Sequence, residues 1–144
     1  MRYTEIDLQI EDIMWFGVDS AGHIFECTSA GCGNVPEYVC RSREETETLL
    51  SYFTEEAPVT TTPELLIPEE DNQLTEDITD LASKGVFCYD ITDFDNAGSY
   101  SCVAKPASPI NITDLPENIQ AILSDHLYPD NISTANTINV KHAY

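Results

Sequence analysis

Basic residues are scarce in this 144-residue chain: six Lys and Arg stand against 26 Asp and Glu, for a formal charge of -20. Arg2, Arg41, Arg43, Lys84, Lys105 and Lys141 are scattered, so the clustered cations that bind nucleic acid or an anionic membrane surface are missing. Long apolar runs are missing as well. None approaches the ~20 residues needed to span a bilayer. Near the N-terminus, Glu5, Asp7, Glu11 and Asp12 interrupt the apolar core that an export signal requires. The expectation is a cytoplasmic chain, in which thiols stay reduced and the sequons at Asn111 and Asn131 are chance matches. Also absent are a Gly-rich phosphate loop, a Ser-centred nucleophile elbow and an HExxH pattern, so no reaction class announces itself.

What is present suits one domain over residues 1–144, long enough to bury roughly 70% of its unfolded surface. Two stretches share a plan. In the first, residues 1–53, IMWFGVD and HIFECTS read as strands around the turn Asp19-Ser20-Ala21-Gly22. A Gly-rich loop and Pro36 follow, then a helix from Ser42 to about Phe53, with Ser42 and Glu45 as a capping box and Leu49, Leu50 and Phe53 as its buried stripe. Residues 54–72, with three Pro and a Thr cluster, read as a surface loop. Residues 73–144 open on a helix marked by Leu74, Ile78 and Leu81 and stopped by Gly85. GVFCYDI and GSYSCVAK then read as strands, a second helix opens at Asp114, and Ile132, Ile138 and Val140 suggest a last short strand. The expected class is α+β: a mostly antiparallel sheet from two ββα-like units, with helices packed on it.

Three of the five Cys and four of the six Gly fall between Trp15 and Cys40. Cys27, Cys32, Cys40 and His23 raise the question of zinc, but their spacing lacks the close ligand pairs of structural sites, and no metal or other cofactor is expected. Cys27, Cys88 and Cys102 sit in strands as small core side chains. Cys32, in the loop Gly31-Cys32-Gly33-Asn34, is the candidate reactive thiol, yet no local pattern ties His23, His126 or His142 to it as a base. Asp93 to Gly98 imitates the opening of a calcium loop, but Ala97 and Ala104 stand at two of its ligand positions. The acid pairs Glu55-Glu56 and Glu69-Glu70-Asp71 lie in hydrophilic sequence, where carboxylates are normally solvated.

Trp15-Phe16-Gly17-Val18-Asp19, Gly22, Thr28-Ser29-Ala30-Gly31 and Val35-Pro36 resemble the WFAVD, G and FxSxGxxxxP pattern of small uncharacterised bacterial proteins. The run Tyr100 to Pro106, Pro109 and Asp114-Leu115-Pro116 is similar to the same family's C-terminal half. Cys32 departs from it, standing where a non-thiol residue is expected. The resemblance implies a fold, with Trp15 and Phe16 filling the core from opposite sides of one strand, and implies no catalytic residue. In type, such acidic proteins resemble the immunity partners of toxins. Three functions remain open on the sequence: a non-enzymatic partner of a basic protein, an accessory domain whose acidity serves solubility, and a thiol enzyme or metal protein built on the Cys32 loop. The first is favoured, with Gly31, Cys32, Gly33, Asn34, Glu55, Glu56, Glu69, Glu70 and Asp71 as the candidate interaction surface.

Overall fold

The turn at Asp19 to Gly22 closes a hairpin, helped by the left-handed backbone of Gly22 at φ 87°. Its strands are β1 (Met14–Val18) and β2 (Ile24–Thr28), with Trp15 opposite Cys27 and Phe16 opposite Glu26. The Asp19 carboxylate fixes the turn by accepting from the Ala21 and His23 amides and from the His23 ring. A second hairpin joins β4 (Phe87–Ile91) to β5 (Ser99–Pro106). The computed structural model, which describes residues 1–144, joins the two hairpins by a parallel pairing of β2 with β4. The sheet order is β1-β2-β4-β5-β3, with β3 at Pro63–Leu65, and β6 (Thr137–Asn139) also pairs with β5. The fold class is α+β as expected, and the sheet is mixed.

Strand alternation divides the interior into two cores. Trp15, Phe25, Cys27, Tyr89 and Tyr100 face one side, and Phe16, Val18, Ile24 and Cys88 face the other. Trp15 and Phe16 are both fully buried, on opposite faces. On β5 a register shift opposite Cys88 and Tyr89 leaves Val103 unpaired between Cys102 and Ala104. This bulge turns both Val103 and Ala104 into the second core, where strict alternation would have sent one of them away.

The first core is covered by α1 (Glu5–Ile10), α2 (Glu37–Cys40) and the C-terminal segment, through Leu8, Val39, Cys40, Ile132, Ile138 and Val140. The second is covered by α3 (Arg43–Ser51), α4 (Gln73–Ser83) and α5 (Glu117–Leu123). Residues 54–72, read above as a loop, contain the end of a π-turn (Tyr52–Glu56) and β3 (Pro63–Leu65). Pro63 tolerates this because it sits opposite Pro106 on an outer strand, where a missing N–H is harmless. The π-turn has its own cap. Lys84 Nζ, almost fully buried, donates to the Phe53 carbonyl at 2.8 Å, the Thr54 carbonyl at 3.2 Å and Asp80 at 2.8 Å. A cation there answers the negative end of the helix and its unpaired carbonyls.

Some helix boundaries match the sequence reading and others differ. α4 starts after Asn72, whose side chain accepts from the Thr75 amide, and stops at Gly85 with φ 90°. The helix expected from Asp114 begins instead at Glu117. Asp114 caps a preceding 3-10 turn (Ile112–Asp114) by reciprocal bonds with Asn111, and Pro116 holds Leu115 extended. At α3 only half of the capping box forms: Ser42 accepts from the Glu45 amide at 3.2 Å, but the Glu45 side chain turns inward toward His126. α5 makes its main strand and helix contacts with β1 and α3. From α5 the chain runs along the outer edge of β1. The Val18 amide donates to the His126 carbonyl at 2.9 Å, and the Tyr128 amide to the Val18 carbonyl at 2.8 Å.

Trp15 meets the rings of Phe25, Tyr38 and Tyr100 edge-on, with centroids 5.9, 6.1 and 5.8 Å away. Removing the indole leaves a cavity bounded by a rigid strand and three rings, so Trp15→Ala is expected to cost about 3–5 kcal/mol of unfolding free energy. Urea unfolding monitored by circular dichroism checks it, and a loss under 1 kcal/mol would show that the site collapses around the missing ring.

Candidate functional site

Glu55 and Glu56 end the π-turn, and Glu69, Glu70 and Asp71 lead into the first turn of α4. Carboxylates at a helix N-terminus lie at the positive end of its dipole, which favours their presence before α4. The side chain of Asn72 also donates to Glu70 at 2.9 Å. Glu69, Glu70 and Asp71 join Glu76 and Asp80 around an open cavity of about 780 Å³ that has no hydrophobic lining. Glu56 borders a second cavity, of about 410 Å³, with Glu44, Glu47 and Tyr52. Carboxylates thus crowd two clefts on the outer side of α3, the π-turn and α4, and the cleft between them is lined by Met14, Leu50 and Leu81 as well as Glu76, Asp77 and Asp80.

Few cations meet these clefts: the N-terminal ammonium pairs with Glu44, and Lys84 with Asp80. Arg2 pairs with Glu37, Arg41 with Asp125, Arg43 with Asp7 and Glu11, and Lys105 with Glu64. Lys84 reaches Asp80 only from inside, and Lys141 lies in the C-terminal segment. No Lys or Arg lines either acidic cavity.

The Gly31 to Asn34 loop lies on the other side of the sheet. Ala30 and Gly31 are left-handed, at φ 53° and 72°, and carry the chain sharply around below α1. A Cβ on Gly33 would lie 2.5 Å from the Tyr100 hydroxyl and 2.7 Å from Ile91, so only glycine fits. Asn34 is tied in by its amide to Ala97, its side chain to Val140 and its carbonyl to the Tyr100 hydroxyl. Tyr100 and Ile91 belong to the first core, whereas α4 covers the second, so the sheet separates the two halves of the surface expected from the sequence.

Cys32 is exposed and shares a cavity of about 160 Å³ with Glu5 and His142, a neighbour that sequence spacing did not suggest. The Val35 amide donates to His142 Nδ1 at 3.0 Å, so in the neutral ring the proton sits on Nε2 and the only lone pair is already engaged. In that arrangement His142 cannot take a proton from Cys32. Cys27, Cys40 and Cys88 are core groups, and Cys102 is partly buried. Burial pushes Cys27 and Cys88 far up and Cys40 and Cys102 to about 11. His23 is held by Asp19, and no group of three His, Cys, Asp or Glu side chains is arranged to hold a metal ion.

The buried ionisable groups were not legible as such. Asp19 is read easily as a turn residue, but it also accepts at 2.8 Å from the Ile132 amide, more than a hundred residues away. Glu26 looks like the polar member of an alternating strand, and becomes fully buried because α4 covers that face. One of its oxygens accepts from the Thr28 hydroxyl at 2.6 Å, and the other has no partner. Burial, reinforced by Asp90, Asp12 and Asp77, pushes its carboxyl up to about 8.

Glu26 is thus neutral in the folded chain at pH 7 and ionised in the unfolded one. Its folded pKa is the higher, so the stability it contributes is complete below about 4.5 and is lost as pH rises through about 8. A Glu26→Gln variant removes this dependence. It is expected to match the parent near pH 4.5 and exceed it by on the order of 3 kcal/mol at pH 7, at about 1.4 kcal/mol per pKa unit. Denaturant unfolding of both proteins between pH 4.5 and 8.5 measures the difference, and parallel profiles would mean that Glu26 ionises normally. Comparison of the chain with protein-family models, with curated proteins and with solved structures returned no match.

Proposed function

We propose that this protein is a non-enzymatic binding protein that holds a basic protein partner against the acidic surface of α3, the π-turn and α4. The observation that carries this reading is the cavity bordered by Glu69, Glu70, Asp71, Glu76 and Asp80, with no hydrophobic residue and no Lys or Arg in its lining. A net charge of -20 would draw a cationic partner from beyond contact distance. Concentrating carboxylates on one face would also orient that partner on arrival. An immunity-type protein that shields the basic surface of a toxin in the bacterial cytoplasm fits this design. The five free cysteines suit a reducing compartment.

Reversing Glu69, Glu70 and Asp71 to Lys changes the local charge by six units on exposed side chains that lie before a helix and outside the core. Association with the partner is expected to slow at least tenfold, and the parent's on-rate to fall steeply between 50 and about 500 mM salt, as steered encounters do. The melting temperature should stay near the parent's, because solvated charges contribute little to folding. Stopped-flow association kinetics with the partner recovered from its host provide the measurement. An on-rate indifferent to both salt and the triple reversal would leave the acidity as a solubility feature.

A further inference from the structure

His126 ends the turn after α5, and its side chain is only 1% exposed. Its Nδ1 lies 2.9 Å from the Phe16 carbonyl, which only accepts, so Nδ1 carries a proton. In the neutral ring, Nε2 is then a bare lone pair. It faces Glu45 Oε2 at 4.0 Å, and neither atom reaches solvent or a hydrogen-bond partner. Two buried acceptors are thus held opposite each other with no donor between them.

The same residue anchors the segment that closes the sheet. The His126 carbonyl accepts from the Val18 amide, and Tyr128 donates back to Val18, so residues 126–128 act as a strap along the outer edge of β1. We propose that His126 is a pH-sensitive latch: neutral, it holds this strap on β1, and protonated, it lets the strap loosen. The proposal does not depend on any partner.

The groups around the ring set the direction. Glu45 on α3 and Asp125 beside it in the chain attract a proton, and so does the Phe16 carbonyl on β1. Arg41, after α2, repels one and is itself paired with Asp125 at 3.3 Å. The Tyr38 ring of α2, its centroid 4.9 Å from that of the imidazole, stays protonated and uncharged because it is buried. Burial of the imidazole is the largest influence, and it lowers the ring below its usual 6.5. A base with a depressed folded pKa contributes stability that is present above about 6.5 and is lost as pH falls through the folded value. The new proton would point at Glu45 Oε2, which is beyond hydrogen-bond reach at 4.0 Å and belongs to a side chain 40% exposed, so it offsets only part of the cost of charging a buried ring, and opening the strap to water removes the rest.

Hydrogen exchange of the Val18 and Tyr128 amides, corrected for intrinsic rates, tests the latch alongside an NMR titration of the imidazole. Protection at both amides is expected to fall about tenfold between pH 7.5 and 5.5, the span of roughly one pKa unit of coupling, while Tyr89 at the sheet centre holds. In Glu45→Gln the attracting charge is gone and the amide can donate to Nε2, so the fall should move down by about one pH unit. His126→Asn, which keeps a donor near the Nδ1 position but cannot titrate, should show no fall. A fall that persists in His126→Asn, extends equally to Tyr89, or keeps its midpoint in Glu45→Gln would overturn the proposal. The Glu45→Gln comparison decides by itself should His126→Asn fail to fold.

Discussion

The parallel pairing of β2 with β4 governs this molecule. Antiparallel hairpins close locally, but parallel neighbours need a crossover that carries the chain from one end of the sheet to the other. Here that crossover spans α2, α3, the π-turn, β3 and α4. Most of it settles on one face, over Phe16, Ile24 and Cys88, and brings the acid-rich helices together there. The same connection leaves the opposite face to α1, α2 and the C-terminal segment, which cover Trp15 and Tyr100. A topological requirement of the sheet thus decides where the charge is displayed.

A sheet covered on both sides has few places for polar groups, and the ones inside are specific. Asp19 is satisfied by four donors and ties the first hairpin to Ile132 in the last segment. Lys84 is satisfied by two carbonyls and a carboxylate, and joins α4 to the end of the π-turn. Glu26 and His126 each keep one atom without a partner. Buried polar atoms left unpaired cost free energy in one protonation state, which makes that part of the fold responsive to pH.

Much of the architecture could be read from the chain. The strands around Trp15 and Tyr89, the helix start at Ser42 and the stop at Gly85 all follow from local chemistry: alternation, a capping side chain and a glycine at positive φ. β3 was not legible, because Pro63-Glu64-Leu65 has no strand pattern of its own and gains one only by pairing with β5. α2 was hidden for a similar reason, since four residues after Pro36 carry no periodicity. The acids at Glu69, Glu70 and Asp71 could be named, but not their neighbours Glu76 and Asp80, which helix α4 brings beside them.

By itself the sequence determined the fold class, the charge and the local signals that open and close the elements, because each depends on residues a few positions apart. Only the tertiary structure decided that β2 and β4 run parallel, that Gly31 to Asn34 and the acidic helices lie on opposite sides of the sheet, and that Glu45 turns from its own helix cap toward His126. Those outcomes depend on which buried face each element covers. Such contacts join residues far apart in the chain, where no local preference can reach.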